Sequence, residues 1–192
     1  MATRRIYLVR HGEYDWNKDA SPAKGLTPRG VQQARLTAQR LRSVSATTIY
    51  SSDLMRAVET AQIIGGEHDG VPKRKRKVLR ECFLPGPAFA DAPAEVIQAG
   101  KEQAEAAFEK YLCPTRLKDR IEIIVSHGNL IRYLVSRVLG GSTLENWFRM
   151  RTLNCGITEI VIESDERRWL VSYNDVGHLP AELITEGLPR RS

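Results

Sequence analysis

Apolar residues recur along the chain in two spacings, and the switches between them mark out the elements. Ile6-Tyr7-Leu8-Val9 and Ile121-Glu122-Ile123-Ile124-Val125 are short, almost continuous apolar runs, as a strand buried on both faces requires. Thr47-Thr48-Ile49-Tyr50 is a β-branched run closed by Ser51-Ser52. Between these runs the spacing becomes helical. Val31, Ala34, Ala38 and Leu41 form one face behind Thr27 as N-cap and Pro28 at the first helical position. Leu54, Ala57, Val58, Ala61 and Ile64 form another, with Asp53 as the expected cap and Arg56 in the first turn. A third strand is expected to include Val78 and Leu79 and to end near Glu81, before the loop marked by Pro85, Gly86, Pro87 and Pro93. A helix rich in alanine, glutamate and lysine follows from about Pro93 to Leu112. After the run at Ile121, Leu130, Ile131, Leu134, Val135 and Val138 give a further inner helix face. Runs around Ile157 to Glu163 and Trp169 to Tyr173, joined by Ser164-Asp165-Glu166-Arg167, read as a hairpin. Strands alternating with helices predict a mixed α/β sheet covered on both faces.

Composition changes this picture little. At 192 residues, with no linker or repeat, residues 1–192 are expected to form a single domain. No apolar run approaches the roughly 20 residues that span a bilayer, and Met1-Ala2-Thr3-Arg4-Arg5 leads directly into a strand. A soluble, cytoplasmic protein with no membrane partner is the expectation. Cys82, Cys113 and Cys155 show no metal-ligand spacing and are expected to be free thiols. A net charge of +6 suits nucleic acid or phosphorylated ligands equally. The densest cluster, Lys73-Arg74-Lys75-Arg76-Lys77, lacks interleaved aromatics, so it is read as a solvated loop and nucleic acid is not the expected partner. A homo-oligomer is allowed by the sequence but not specified by it.

The chemistry lies where strands run out. Arg10-His11-Gly12-Glu13 follows the first apolar run and Ser126-His127-Gly128-Asn129 follows the central one, so each places a histidine where ligands bind in open α/β sheets. Arg56 and Glu81 sit at two further junctions. Together they predict a cation-lined pocket with one carboxyl group. Phosphoryl transfer needs such fixed positive donors, and guanidinium groups match phosphate oxygens in pairs. His11 is the expected nucleophile, its other ring nitrogen held by a backbone carbonyl. Glu81 is the expected acid and base, with Glu13 as its rival. Helix starts near Arg56 and Asn129, including Gly128, are expected to offer backbone N–H groups to phosphate. Tyr14, Trp16 and the loop Phe83 to Phe89 are candidates for the rim.

Leu26-Thr27-Pro28-Arg29-Gly30, Ser51-Ser52-Asp53-Leu54-Met55-Arg56-Ala57, Leu79-Arg80-Glu81 and Ser126-His127-Gly128 follow the first motif in order. Together these blocks resemble the histidine phosphatase superfamily, phosphoglycerate mutase-like branch, over essentially the full chain. The resemblance implies a three-layer α/β/α sandwich with a mostly parallel mixed sheet. It also implies phosphohistidine at His11, phosphate contacts from Arg10, Asn17, Arg56 and His127, proton transfer at Glu81, and neither metal nor cofactor. Gly128-Asn129-Leu130-Ile131-Arg132-Tyr133, Asn154-Cys155-Gly156 and Asp175-Val176-Gly177-His178 look most like the family's mitochondrial serine/threonine protein phosphatases. The implied activity is a metal-independent phosphomonoesterase acting on phosphoproteins, phosphopeptides or small phosphorylated metabolites. A mutase-type phosphotransferase and a phosphate-recognising binding module are the alternatives. Cys82 to Gly100 contains no lysine or arginine for a second phosphate, which weighs against the mutase.

Overall fold

The computed structural model describes residues 2–15, 23–84, 91–140 and 143–186. Among them, strands β1 (Arg4–Arg10), β2 (Thr48–Ser51), β3 (Lys73–Lys75), β4 (Arg120–Ser126), β5 (Ile157–Ile162) and β6 (Arg168–Asp175) form one sheet in the order β3-β2-β4-β1-β5-β6. β3, β2, β4 and β1 are mutually parallel; β5 and β6 continue the sheet antiparallel. The expected hairpin is the antiparallel end.

Helices α1 (Pro28–Leu41) and α2 (Met55–Ile64) pack on one face, and α3 (Ala94–Tyr111) and α4 (Gly128–Leu139) on the other. The alternation of side chains along a strand divides the core between the two faces. Ile6, Leu8 and Ile124 join Ala104, Ala107, Leu130, Ile131 and Leu134. Val9, Ile123 and Val125 join Ala38, Leu41, Ala57, Ala61 and Ile64. The arrangement is a three-layer α/β/α sandwich, and the central parallel strands β1 and β4 carry near-continuous apolar runs because both their faces are covered.

Thr27 caps α1 as expected, its side chain accepting from the Gly30 N–H, and Pro28 opens the helix. Three expectations are corrected. Asp53 does not cap α2: it receives both Nε and Nη2 of Arg80, at 2.6 and 2.8 Å, while Ser52 Oγ accepts the Leu54 N–H. Val78 and Leu79 form a 3-10 turn, Lys77–Leu79, in which fully buried Leu79 plugs the core. The strand lies earlier, at Lys73–Lys75, because a sheet edge open to water needs no apolar side chains and lysines there block unwanted pairing. The basic cluster is therefore an edge strand and the turn after it, not a loop. A short helix, α5 (Thr143–Phe148), had no signal in the periodicity because six residues give too few turns to show one.

At the far end of the parallel strands Arg4 on β1 meets Glu122 on β4, 2.6 Å apart, both essentially buried. Removing one partner leaves a desolvated charge, which costs far more than the pair contributes. Arg4→Met is expected to destabilise the protein by about 3–5 kcal/mol, and Arg4→Met with Glu122→Leu by much less. Urea midpoints of the two variants measure the difference.

Candidate active site

The parallel strands end at one edge of the sheet, and each delivers a polar group there. β1 ends in Arg10 and His11, β2 leads through Ser52 to α2 and Arg56, and β4 ends at His127 before α4. The chain following β3 reaches Glu81. The histidines and arginines are almost fully buried, Arg10 being 9%, His11 2%, Arg56 7% and His127 0% exposed, and Glu81 is partly buried.

His11 is held from several sides. Its N–H donates to the Ser126 carbonyl at 3.0 Å, and its own carbonyl accepts Nδ2 of buried Asn154 at 2.9 Å. Its Nδ1 lies 2.7 Å from the Gly12 carbonyl. A carbonyl only accepts, so Nδ1 carries the proton and Nε2 keeps its lone pair. Arg56 Nε donates to that lone pair at 3.3 Å, and the guanidinium lies over the Tyr14 ring, 4.3 Å from its centroid. The His127 ring stands edge-on to His11 with centroids 4.9 Å apart. Burial, followed by the charges of Arg10 and Arg56, holds His11 well below the ordinary histidine pKa. Burial likewise lowers His127, with His11, Arg56 and Arg10 acting in the same direction.

The loop after β1 can sit here because two glycines meet. A Cβ on Gly12 would fall 2.6 Å from the Gly30 carbonyl oxygen, and one on Gly30 would fall 2.1 Å from that of Glu13. Backbone on backbone at this distance leaves no room for a side chain. Glu13 itself is occupied: its carboxylate accepts the Thr27 hydroxyl at 2.9 Å and pairs with Arg29 at 3.3 Å. It ties the loop to the start of α1, a structural use that separates it from the acid role in which it rivalled Glu81.

Glu81 is bound to the start of α4. Its Oε1 accepts the N–H groups of Asn129, Leu130 and Cys82 at 3.0, 3.3 and 3.2 Å. At the start of α4 the Asn129 and Leu130 N–H groups, expected to face phosphate, therefore serve the carboxyl group. Burial raises the Glu81 pKa, while the charge of Arg10 and the Cys82 N–H draw it back. Asn129 completes the clamp: its Nδ2 donates to the Cys82 carbonyl at 3.0 Å and its Oδ1 accepts from Arg132. Arg132 in turn stacks on Trp147, 4.0 Å from the ring centroid. Nothing in the local pattern distinguished Arg132 from other helix residues.

Arg10 is fixed from the chain's last described turn. Its Nη1 donates to the carbonyls of Thr152 and Glu186. Residues 183–186 are held there by Gln33 Nε2, which donates to Leu183 O at 2.7 Å, and by Thr185, whose hydroxyl donates to Asn154 Oδ1 at 3.0 Å. Arg10 Nε and both ring nitrogens of His127 are buried without a hydrogen-bond partner among the described residues. A Cβ on Gly128 would lie 3.5 Å from Arg10 Nε, an ordinary contact, so the protein alone does not demand glycine there. Asn17 and Trp16, expected at the phosphate and the rim, lie outside the described residues, as do Pro85 to Phe89 of the expected rim loop. Among the described residues, no group of three or more His, Cys, Asp or Glu side chains forms a metal-ligand cluster, and no helix is long and apolar enough to cross a membrane. The three cysteines are unpaired.

The sequence model of the histidine phosphatase superfamily (branch 1) matches residues 6–110 and 85–176. The chain is 36% identical over 193 residues to the mitochondrial serine/threonine-protein phosphatase PGAM5 of Rattus norvegicus, covering 96% of this chain and 67% of that protein. The Drosophila grimshawi protein of the same description is 36% identical over 198 residues, covering 97% and 68%. The chain thus spans about two thirds of these relatives' length. The structure of a phosphoglycerate mutase from Plasmodium falciparum superposes with a TM-score of 0.67 at 29% identity, covering 94% of this chain and 96% of that one. The curated relatives are named as mitochondrial, which overturns the cytoplasmic location expected from the chain's start.

The two histidines make acid stability a test of the geometry. In the unfolded chain they titrate near pH 6.5, but folding lowers both values, so below about 6.5 the unfolded chain binds more protons. Stability is therefore full above that pH and falls as pH drops toward the folded values, by up to about 1.4 kcal/mol per pH unit for each ring. Raised Glu81 works in the opposite direction. Comparing urea midpoints at pH 7.5 and 5.5 for the wild type and His11→Gln separates the two, and the variant is expected to lose less on acidification.

Proposed function

The chain belongs to the histidine phosphatase superfamily and is a phosphatase, and from that premise we propose that it hydrolyses phosphomonoesters through a phosphohistidine on His11, with Glu81 moving the protons. The observation that carries this reading is the meeting of a neutral imidazole, its unprotonated Nε2 identified by the Nδ1 to Gly12 bond, with buried nitrogens that lack partners among the described residues at Arg10 Nε and His127. A buried polar group without a partner costs about 1–3 kcal/mol. Phosphoryl oxygens supply what these donors lack.

In the proposed cycle His11 Nε2 attacks phosphorus as the ester P–O bond breaks. Arg56 then exchanges its contact with Nε2 for one with a phosphoryl oxygen. Arg10 and His127 stabilise the other equatorial oxygens, where charge accumulates in transfer. The departing alkoxide takes the proton of the Glu81 carboxyl group. Burial helps to keep that proton available. Water next gives its proton to the Glu81 carboxylate and attacks the phosphohistidine, releasing inorganic phosphate and restoring His11. Asn17 and Gly128 are proposed as further phosphate contacts. No metal or cofactor enters this cycle, and the proposed substrates are phosphoproteins or phosphopeptides. The serine/threonine-protein phosphatase description of the relatives supports that class, and the lack of lysine or arginine between Cys82 and Gly100 supports release over transfer within a bisphosphorylated substrate.

His11→Ala is expected to abolish phosphate release from a phosphoserine peptide. Rapid quench into alkali, where phosphohistidine survives, should trap label on the wild-type protein only; labelled protein in the variant would overturn the role of His11. For Glu81→Gln, hydrolysis of alkyl phosphates should fall by about 10²–10⁴-fold. With p-nitrophenyl phosphate, whose leaving group needs no proton, the same variant should give a stoichiometric burst followed by slow turnover. A uniform loss with both substrates and no burst would count against Glu81.

A further inference from the structure

The basic run ends beside the catalytic edge of the sheet. β3 is parallel to β1, so Arg76, which follows β3, emerges on the same side as His11, which follows β1. Two strands, β2 and β4, separate them, and three inter-strand spacings amount to about 14 Å. An extended peptide covers that distance in about four residues.

Several of the nearby cations already have work within the fold. Arg80 is paired with Asp53, and the stem of Lys73 lies against Gly65 at the end of α2. Arg76 donates to the Lys75 carbonyl and faces the Tyr50 ring. Arg74, Lys75 and Lys77 are exposed and form no ion pair among the described residues. Blocking a sheet edge accounts for lysine on the strand itself, but Lys77 lies beyond it, on the turn that leads to Glu81. The charge thus continues from the sheet edge toward the catalytic site.

Building on the phosphatase reading, we propose that Arg74, Lys75 and Lys77 form a docking track for acidic side chains about four residues from the phosphorylated residue of a phosphoprotein substrate. Its occupant is an extended acidic segment, selected by charge, while the phosphoryl group lies at His11. Such contacts steer association and act mainly on KM, and salt screens them.

The test uses the full chain and phosphoserine peptides carrying Glu-Glu or Gln-Gln centred four residues to either side of the phosphoserine, with p-nitrophenyl phosphate as a substrate too small to reach the track. In low salt one Glu-Glu peptide is expected to exceed its Gln-Gln counterpart by about tenfold in kcat/KM, the scale of two exposed ion pairs. The advantage should disappear at 0.5 M salt and in Lys75→Glu/Lys77→Glu, with turnover of the aryl phosphate unchanged. Equal use of the peptides, or an advantage that survives the charge reversal, overturns the proposal. Fluorescence-polarisation binding of the same peptides decides the matter independently of turnover: failure to release phosphate from any substrate would defeat the phosphatase reading, whereas equal binding of acidic and neutral peptides would defeat the track. Salt-sensitive binding of a single-stranded oligonucleotide without a preference for acidic peptides would assign the surface to nucleic acid instead and also overturn the proposal.

Discussion

The hydrogen bond from His11 Nδ1 to the Gly12 carbonyl is the constraint on which the site is built. It fixes which nitrogen is basic, and only the Nε2 lone pair can receive the Arg56 donor. The bond joins the His11 ring to the carbonyl of the next residue, just past the end of β1. The path of that backbone requires Gly12 and Gly30 to touch through their backbones, with Thr60 Oγ1 accepting the Gly12 N–H at 3.1 Å. Sheet, glycine contact and tautomer form one chain of causes. A side chain at either glycine would disturb the nucleophile without touching it.

Electrostatics set the second constraint. Two imidazoles, Arg10 and Arg56 lie buried beside the partly buried Glu81, and Arg132 donates to Asn129 behind it. The histidines relieve the concentration of positive charge by remaining neutral. Glu81 is pulled in opposite directions, by burial toward its acid form and by Arg10 toward its carboxylate, which suits a group that must exchange a proton twice in a cycle. The helix-start N–H groups on Oε1 fix the carboxyl position while Asn129 fixes the backbone that follows it.

Sequence pattern revealed the parts whose causes are local. Apolar runs ending at His11 and His127 exposed both strand ends, and helical spacing behind Thr27 and beyond His127 exposed α1 and α4. Features that depend on distant partners stayed hidden. Asp53 looks like any cap until Arg80 arrives from 27 residues away. β3 is a string of cations, with none of the apolar alternation that identifies a half-buried strand, since its place at the edge relieves it of that need. Asn154 and Arg132 acquire meaning only from the backbone carbonyl of His11 and the side chain of Asn129, which no spacing along the chain announces.

The grip of residues 183–186 on Arg10, Asn154 and Gln33 joins segments that lie far apart in sequence. Glu186 supplies one of the two carbonyls that seat Arg10, and Thr152 supplies the other. Whatever displaces this segment therefore loosens the cation beside His11 while leaving the sheet and its helices in place. Control over the reaction can thus be exerted from a stretch of irregular backbone that never meets the substrate.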